Sequence, residues 1–165
     1  MDTKKIINIS MLLAISVVLS IIESFIPIFN GIFVGIKLGL ANIVILFVLY
    51  TYSFKDAILV SILRVIIVGI LRTGLFSITF FFSLSGALLS IISMTLVKKT
   101  KLSIIGVSII GSVFHIIGQI IIAIIMLNTV NLIYYLPYFL IFSCITGLII
   151  GIISKEIVNR VGGII

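Results

Sequence analysis

Six polar or charged side chains interrupt the apolar runs of this chain at positions where a helix in a bilayer would exclude them: Glu23, Lys37, Asn42, Arg64, His115 and Gln119. A charged group at the centre of a bilayer costs roughly 2.5–3.5 kcal/mol on insertion scales, and such groups usually face a protein interior or a cavity. Arg64 lies near the middle of its apolar run. His115 and Gln119 are four residues apart, which places them on one face of a helix.

The charge balance of these six residues is cationic. Arg64 and Lys37 outnumber Glu23, and Arg suits the recognition of carboxylate or phosphate groups. The residues therefore predict a pocket for an anionic or strongly polar solute. Two structural interpretations remain open: Glu23 could form an ion pair with Arg64 or Lys37, and His115 and Gln119 could form hydrogen bonds between helices.

Motifs for catalysis are missing from the sequence. There is no Walker A loop and no His/Cys cluster that would provide zinc ligands. Magnesium–diphosphate chemistry relies on carboxylates that bind the metal, but the carboxylates here are few and widely separated: Asp2, Glu23, Asp56 and Glu156. We expect no catalytic residues, no metal and no cofactor, and hence no enzyme activity of this chain alone.

The composition predicts an all-α integral membrane protein. Of the 165 residues, 62% are hydrophobic and 9% are charged, whereas a soluble domain is roughly half apolar and a quarter charged. A membrane-spanning helix needs about 20 apolar residues. We predict one transmembrane domain over residues 1–165, a compact bundle of six helices at about 6–26, 38–54, 56–72, 76–97, 104–127 and 132–153.

The distribution of cations orients this bundle. Six spans place eight cations on one side of the membrane, namely Lys4, Lys5, Lys55, Lys98, Lys99, Lys101, Lys155 and Arg160, and only Lys37 and Arg72 on the other. The positive-inside rule then predicts that both termini are cytoplasmic. The six candidate residues lie from mid-membrane to the outer half, which predicts a pocket that opens outward. We expect no nucleic-acid partner, because the cations are scattered over four short loops.

Small residues predict where helices approach closely. Gly31, Gly35 and Gly39 are spaced by four, Gly147 and Gly151 repeat that spacing, and Gly111 and Gly118 are seven apart. The simplest interpretation is packing inside the bundle. Ser10 and Ala14 form a small patch near the start of the first helix, a candidate docking surface for another membrane protein.

Several motifs resemble one bacterial family. Lys37 to Asn42 reads KLGLAN, and further matches in order are residues 54–57, 63–65, 74–77, 83–90, 106–108, 115–119, 134–137 and 146–147. These motifs resemble the Gx transporter family, also labelled heptaprenyl diphosphate synthase component I. The resemblance implies a layout like that of the substrate-binding S-components of energy-coupling-factor (ECF) transporters in the bacterial cytoplasmic membrane. Those proteins work with a transmembrane coupling subunit and ATPase subunits, and dock partly through the first helix, where Ser10 and Ala14 lie here.

Three hypotheses follow. The first is an S-component-like subunit that binds a small polar or anionic solute, such as a vitamin or a precursor, for uptake. The second is an accessory membrane subunit of a prenyl diphosphate or quinone biosynthesis system. The third is a stand-alone homo-oligomeric transporter.

Overall fold

The computed structural model describes residues 3–25, 37 and 39–161, and these residues are folded almost entirely into helices without any strand. Six α-helices follow one another: α1 Thr3–Glu23, α2 Asn42–Thr51, α3 Phe54–Val68, α4 Ile78–Lys98, α5 Ile104–Leu127 and α6 Leu136–Val161. A π-helical turn, Gly69–Thr73, continues α3, and a 3₁₀ segment, Val130–Tyr135, precedes α6. The prediction of an all-α fold is confirmed for the described residues.

Four helical segments in the described residues are long and apolar enough to cross a bilayer: α1, α4, α5 and Val130–Val161. Their outward faces carry large apolar side chains, among them Met11, Ile125 and Ile141. A surface of this kind suits lipid rather than water. The chain is thus a helical protein of the membrane type, while the count of six spans and the cytoplasmic side of both termini stay predictions.

Helix α2 is much shorter than the predicted span 38–54. It has 10 residues, and its residues Val44 to Leu49 are all buried. The helix starts only at Asn42 because Gly39 adopts a left-handed conformation with φ 86°. At 1.5 Å per residue, α2 is about 15 Å long and fills the centre of the bundle without crossing a bilayer core of about 30 Å.

The other helix ends differ from prediction to varying degrees. Helix α5 agrees with the predicted 104–127, and α1 and α4 differ by up to three residues at described ends. Helix α3 starts at Phe54 because the Ser53 hydroxyl accepts a hydrogen bond from the Asp56 backbone N–H. Helix α6 continues to Val161, eight residues past the predicted end, and Glu156 and Arg160 pair at 3.2 Å on its exposed last turns. Ile26 and Leu38, each at an end of a predicted span, lie outside the described residues.

Close crossings of α5 with α4 and α6 rest on small residues. A Cβ atom on Gly118 would lie 2.8 Å from the Ser85 carbonyl oxygen of α4. On α6, a Cβ atom on Gly147 or Gly151 would lie 2.7 or 2.8 Å from a Cα atom of α5. The predicted packing role of these glycines is confirmed. Gly31 and Gly35 lie outside the described residues.

Candidate functional site

A small cavity lies between α1, α3, α4 and α5, and four of the six candidate residues line it: Glu23, Lys37, Arg64 and His115. The remaining lining residues are Ser20, Gly39, Val65, Val68, Thr73, Phe80 and Ser83. The cavity measures about 20 Å³, which is room for one water molecule. The sequence thus places these four charged or titratable residues around one interior space, although they are spread over more than 90 positions of the chain.

Arg64 is the buried cation of this cavity. Its side chain belongs to α3, and the residue is only 4% exposed. Within the described part of the chain, its guanidinium makes neither a hydrogen bond nor an ion pair. Its charge acts on those of Glu23 and Lys37, so the three groups form one electrostatic cluster. Burial of a charged group is costly, and a guanidinium without a hydrogen bond to any described residue favours an anionic group in the cavity.

Glu23 uses its carboxylate to hold backbone. One oxygen accepts a hydrogen bond from the Gly39 N–H at 2.5 Å and the other from the Leu40 N–H at 3.1 Å. Ion pairs within 4.0 Å join Lys5 to Asp56 and Glu156 to Arg160, whereas no described residue forms one with Glu23. The expected ion pair of Glu23 with Arg64 or Lys37 is therefore not formed at this distance.

Gln119 also binds backbone, in a paired arrangement. Its Nε2 donates to the Lys37 carbonyl oxygen and its Oε1 accepts from the Lys37 N–H, both at 3.0 Å. Its side chain is completely buried, so these are the bonds that satisfy it. Gln119 thus holds the chain before α2 against α5, which matches the structural interpretation of this residue rather than direct ligand contact.

His115 and Asn42 complete the set of candidates. His115 is buried on α5, and its Nδ1 has no hydrogen-bond partner among the described residues. The Asn42 side-chain amide donates to the Ser90 hydroxyl at 3.3 Å and so links α2 to α4. Asn42 lies next to the cavity without lining it: a Cβ atom on Gly39, which does line it, would lie 2.9 Å from the Asn42 Nδ2.

Sequence reasoning missed three hydroxyl groups of the cavity, those of Ser20, Thr73 and Ser83. Ser20 lies one helical turn before Glu23 on the same face of α1, which is the signal that could have found it. Ser83 lies one turn after Phe80 on the same face of α4. Serine and threonine are common at helix contacts in membranes, so residue type alone does not single them out.

Ser10, Ala14 and Arg72 do not line the cavity. Ser10 and Ala14 are exposed on the first half of α1, as a docking surface requires. Arg72 is exposed at the cavity end of the bundle, beside Thr73, where it donates to the Ser24 carbonyl oxygen at 3.3 Å and stacks 3.8 Å from the centre of the Phe25 ring. Arg72 therefore acts at the surface and does not line the cavity.

These features define a class: a helical protein of the membrane type with a small interior cavity lined by charged side chains, cations in the majority. The chain belongs to the heptaprenyl diphosphate synthase component I family, whose family model matches residues 12–157. The matched range includes all six candidate residues and Ala14, whereas Ser10 precedes it. No curated protein and no solved structure matches the chain significantly.

Proposed function

We propose that this protein is a solute-binding membrane subunit, like an ECF S-component, that captures a small polar or anionic solute such as a vitamin or a precursor for uptake. The observation that carries this proposal is Arg64, a buried guanidinium without a hydrogen bond to any described residue, at the wall of a cavity. His115 also lines the cavity, and its Nδ1 has no hydrogen-bond partner among the described residues. Arg64 and His115 are the ligand contacts, with Lys37 adding positive charge.

The energetics favour an anionic solute. Two opposite unit charges 4 Å apart attract by about 4 kcal/mol at an effective dielectric constant of 20. A carboxylate or phosphate next to Arg64 would gain this attraction and would also offset part of the cost of burying a guanidinium that has no hydrogen bond to a described residue. A neutral solute of equal size would gain neither, so the cavity discriminates by charge.

The cavity must enlarge to admit a solute, because it now holds about one water molecule. Lys37 and Gly39 line it, and four hydrogen bonds hold the backbone of three residues there: Glu23 accepts from the Gly39 and Leu40 N–H groups, and Gln119 forms two bonds with Lys37. Hydrogen bonds can break and re-form individually, whereas the close helix crossings of α4, α5 and α6 would have to separate as a whole. We expect the wall around Lys37 to move on solute entry.

Energy for uptake would come from other chains. The sequence has no Walker A loop, and the exposed Ser10 and Ala14 on α1 leave a small-residue surface for a transmembrane coupling subunit, itself joined to ATPase subunits. The location would be the bacterial cytoplasmic membrane with both termini in the cytoplasm. On this account the chain has no catalytic activity of its own.

The family name favours one alternative function. A heptaprenyl diphosphate synthase component could be an accessory membrane subunit in prenyl diphosphate or quinone synthesis. The described residues contain no group of three or more His, Cys, Asp or Glu side chains placed to hold a metal ion. In this alternative, a soluble partner would therefore supply the catalytic carboxylates.

Co-purification separates the two functions. The protein is extracted gently from its own membranes, and native mass spectrometry records the masses that accompany it. Uptake predicts a bound small molecule, with coupling and ATPase subunits in the larger complexes. A soluble synthase in stoichiometric amount, together with an empty protein, would contradict uptake and support the accessory subunit.

A further inference from the structure

A second concave surface lies on the outside of the bundle, on the face where α4 meets α5. It is a groove of about 160 Å³ lined by Leu89, Ile92, Ser93, Leu96, Val97 and Phe114. Its walls expose only apolar surface, because the Ser93 hydroxyl bonds to the Ser90 carbonyl oxygen inside α4. None of these residues lines the internal cavity.

The length of the groove is close to the thickness of one leaflet of a bilayer core. Gly118 of α5 lies against Ser85 and Gly86, and Gly111 lies against Ser90 and Met94. Phe114, between these two glycines, therefore lies level with Leu89 and closes the groove near the middle of α4 and α5. From Leu89 to Val97 the groove runs about 12 Å along α4. One leaflet of a bilayer core is about 15 Å thick, so the length fits a hydrocarbon chain of a single leaflet.

Positive charge lies at the end of the groove where α4 stops. Lys99 follows Leu96 by three residues and keeps a helical backbone conformation, with φ −72° and ψ −13°, so it continues the grooved face. Lys99 and Lys101 are exposed, and neither forms an ion pair with a described residue. Lys98 is different, because its Nζ donates to the Leu49 carbonyl oxygen inside the protein. No acidic residue occurs between positions 98 and 103.

We propose that this groove is a binding site for one anionic phospholipid of the leaflet on the side of the 98–103 loop. One acyl chain lies along Leu89 to Val97, and the phosphate group lies against Lys99 and Lys101. The apolar walls supply affinity for any acyl chain, whereas the two lysines supply the preference for an anionic headgroup. This site is separate from the solute pocket and does not depend on its function.

The test compares two lipids with the same acyl chains on the purified full-length protein in detergent. Phosphatidylglycerol or phosphatidylcholine is added, and native mass spectrometry measures the occupancy of the first lipid bound. We expect phosphatidylglycerol to bind roughly 10-fold more tightly, from the attraction of two lysines. The double variant Lys99→Gln/Lys101→Gln should lose this preference. The matched variant Lys55→Gln/Lys155→Gln, which removes two exposed cations of other segments, should keep it.

A second pair of variants tests the groove itself. Ile92→Trp fills the groove and should lower the binding of both lipids, while Ile152→Trp, at a similarly exposed position on α6, should not. Melting temperatures confirm that each variant is folded. The proposal is overturned by equal affinity for the two lipids, by equal losses in the two lysine variants, by unchanged binding in Ile92→Trp, or by a protein dimer in place of lipid adducts.

Discussion

The charged side chains at the two ends of the short central helices α2 and α3 differ in whether they have partners. At the end where the α2–α3 turn lies, each of two lysines has a partner: Lys5 pairs with Asp56 at 2.7 Å, and Lys98 binds the Leu49 carbonyl oxygen at 2.6 Å. At the other end, Arg64 is buried at the cavity without such a partner among the described residues. At one end, charges with hydrogen-bond or ion-pair partners hold the helices together. At the other end, Arg64 has no such partner among the described residues, and we expect it to bind the ligand.

Hydrogen bonding at the cavity end supports the same distinction. Glu23 and Gln119 satisfy backbone groups of the segment before α2, while Arg64 and the Nδ1 of His115 do not share in that network. The polar residues around the cavity thus fall into two groups. Glu23 and Gln119 hold the backbone that forms one wall of the cavity, whereas Arg64 and His115 take no part in those hydrogen bonds. The following predictions test whether this division is real.

The largest effect on stability is expected from Gln119→Met. Methionine has a similar length but cannot bond to Lys37, so both backbone groups of Lys37 lose their partner. We expect a loss of roughly 1–3 kcal/mol in the free energy of unfolding, since hydrogen bonds in membrane proteins are individually modest. Thermal unfolding in detergent measures it, with Ile121→Met on the lipid-facing side of α5 as the control. Equal stability of the two variants would show that Gln119 does not hold the wall.

An intermediate effect is expected from Lys98→Met at the other end. The change removes a charged hydrogen bond to the last turn of α2 and a cation–π contact 4.7 Å from the centre of the Tyr50 ring. We expect a loss of about 1–2 kcal/mol in unfolding free energy, with bound solute unaffected. Lys155→Met, at an exposed position of α6, serves as the matched control and should change little. Loss of solute in Lys98→Met would contradict the distinction, because it would show that a lysine at the end away from the cavity also controls solute binding.

The smallest effect is expected from the pair Lys5 and Asp56. The Lys5 side chain is 35% exposed, and salt screens such pairs, so a double-mutant cycle should give a coupling energy of only about 0.5–1 kcal/mol. The coupling should fall further in high salt. The exposed Glu156–Arg160 pair of α6 provides the comparison and should couple less strongly. A coupling that is insensitive to salt would indicate that the pair is more deeply buried than the structure shows.

Sequence patterns could predict the long helices and much of the cavity. Uninterrupted apolar runs fix α5 to the residue, and the cost of a charge in lipid is enough to single out Arg64, Glu23 and Lys37 from the sequence alone. Because such residues must point inward, four of the six candidates meet at one cavity.

The partners of these residues could not be predicted in the same way. The sequence does not indicate that Gln119 binds the backbone of Lys37. The two residues are 82 positions apart, and Lys37 lies outside the helices, so no helical periodicity relates them. The shortness of α2 was missed for a related reason. The apolar pattern continues on both sides of it, while its start depends on the backbone conformation of Gly39.

Substitution of Arg64 tests the central claim most directly. Native mass spectrometry of protein purified from its own membranes would compare Arg64→Ala and Arg64→Lys with a control far from the cavity, Arg160→Ala on the exposed last turns of α6. We expect that Arg64→Ala loses the bound solute, that Arg64→Lys retains part of it, and that Arg160→Ala keeps it, with the melting temperature of the solute-free proteins unchanged within a few degrees. Retention of the solute in Arg64→Ala, or failure of that variant to fold, would contradict the account and make Arg64 a structural residue.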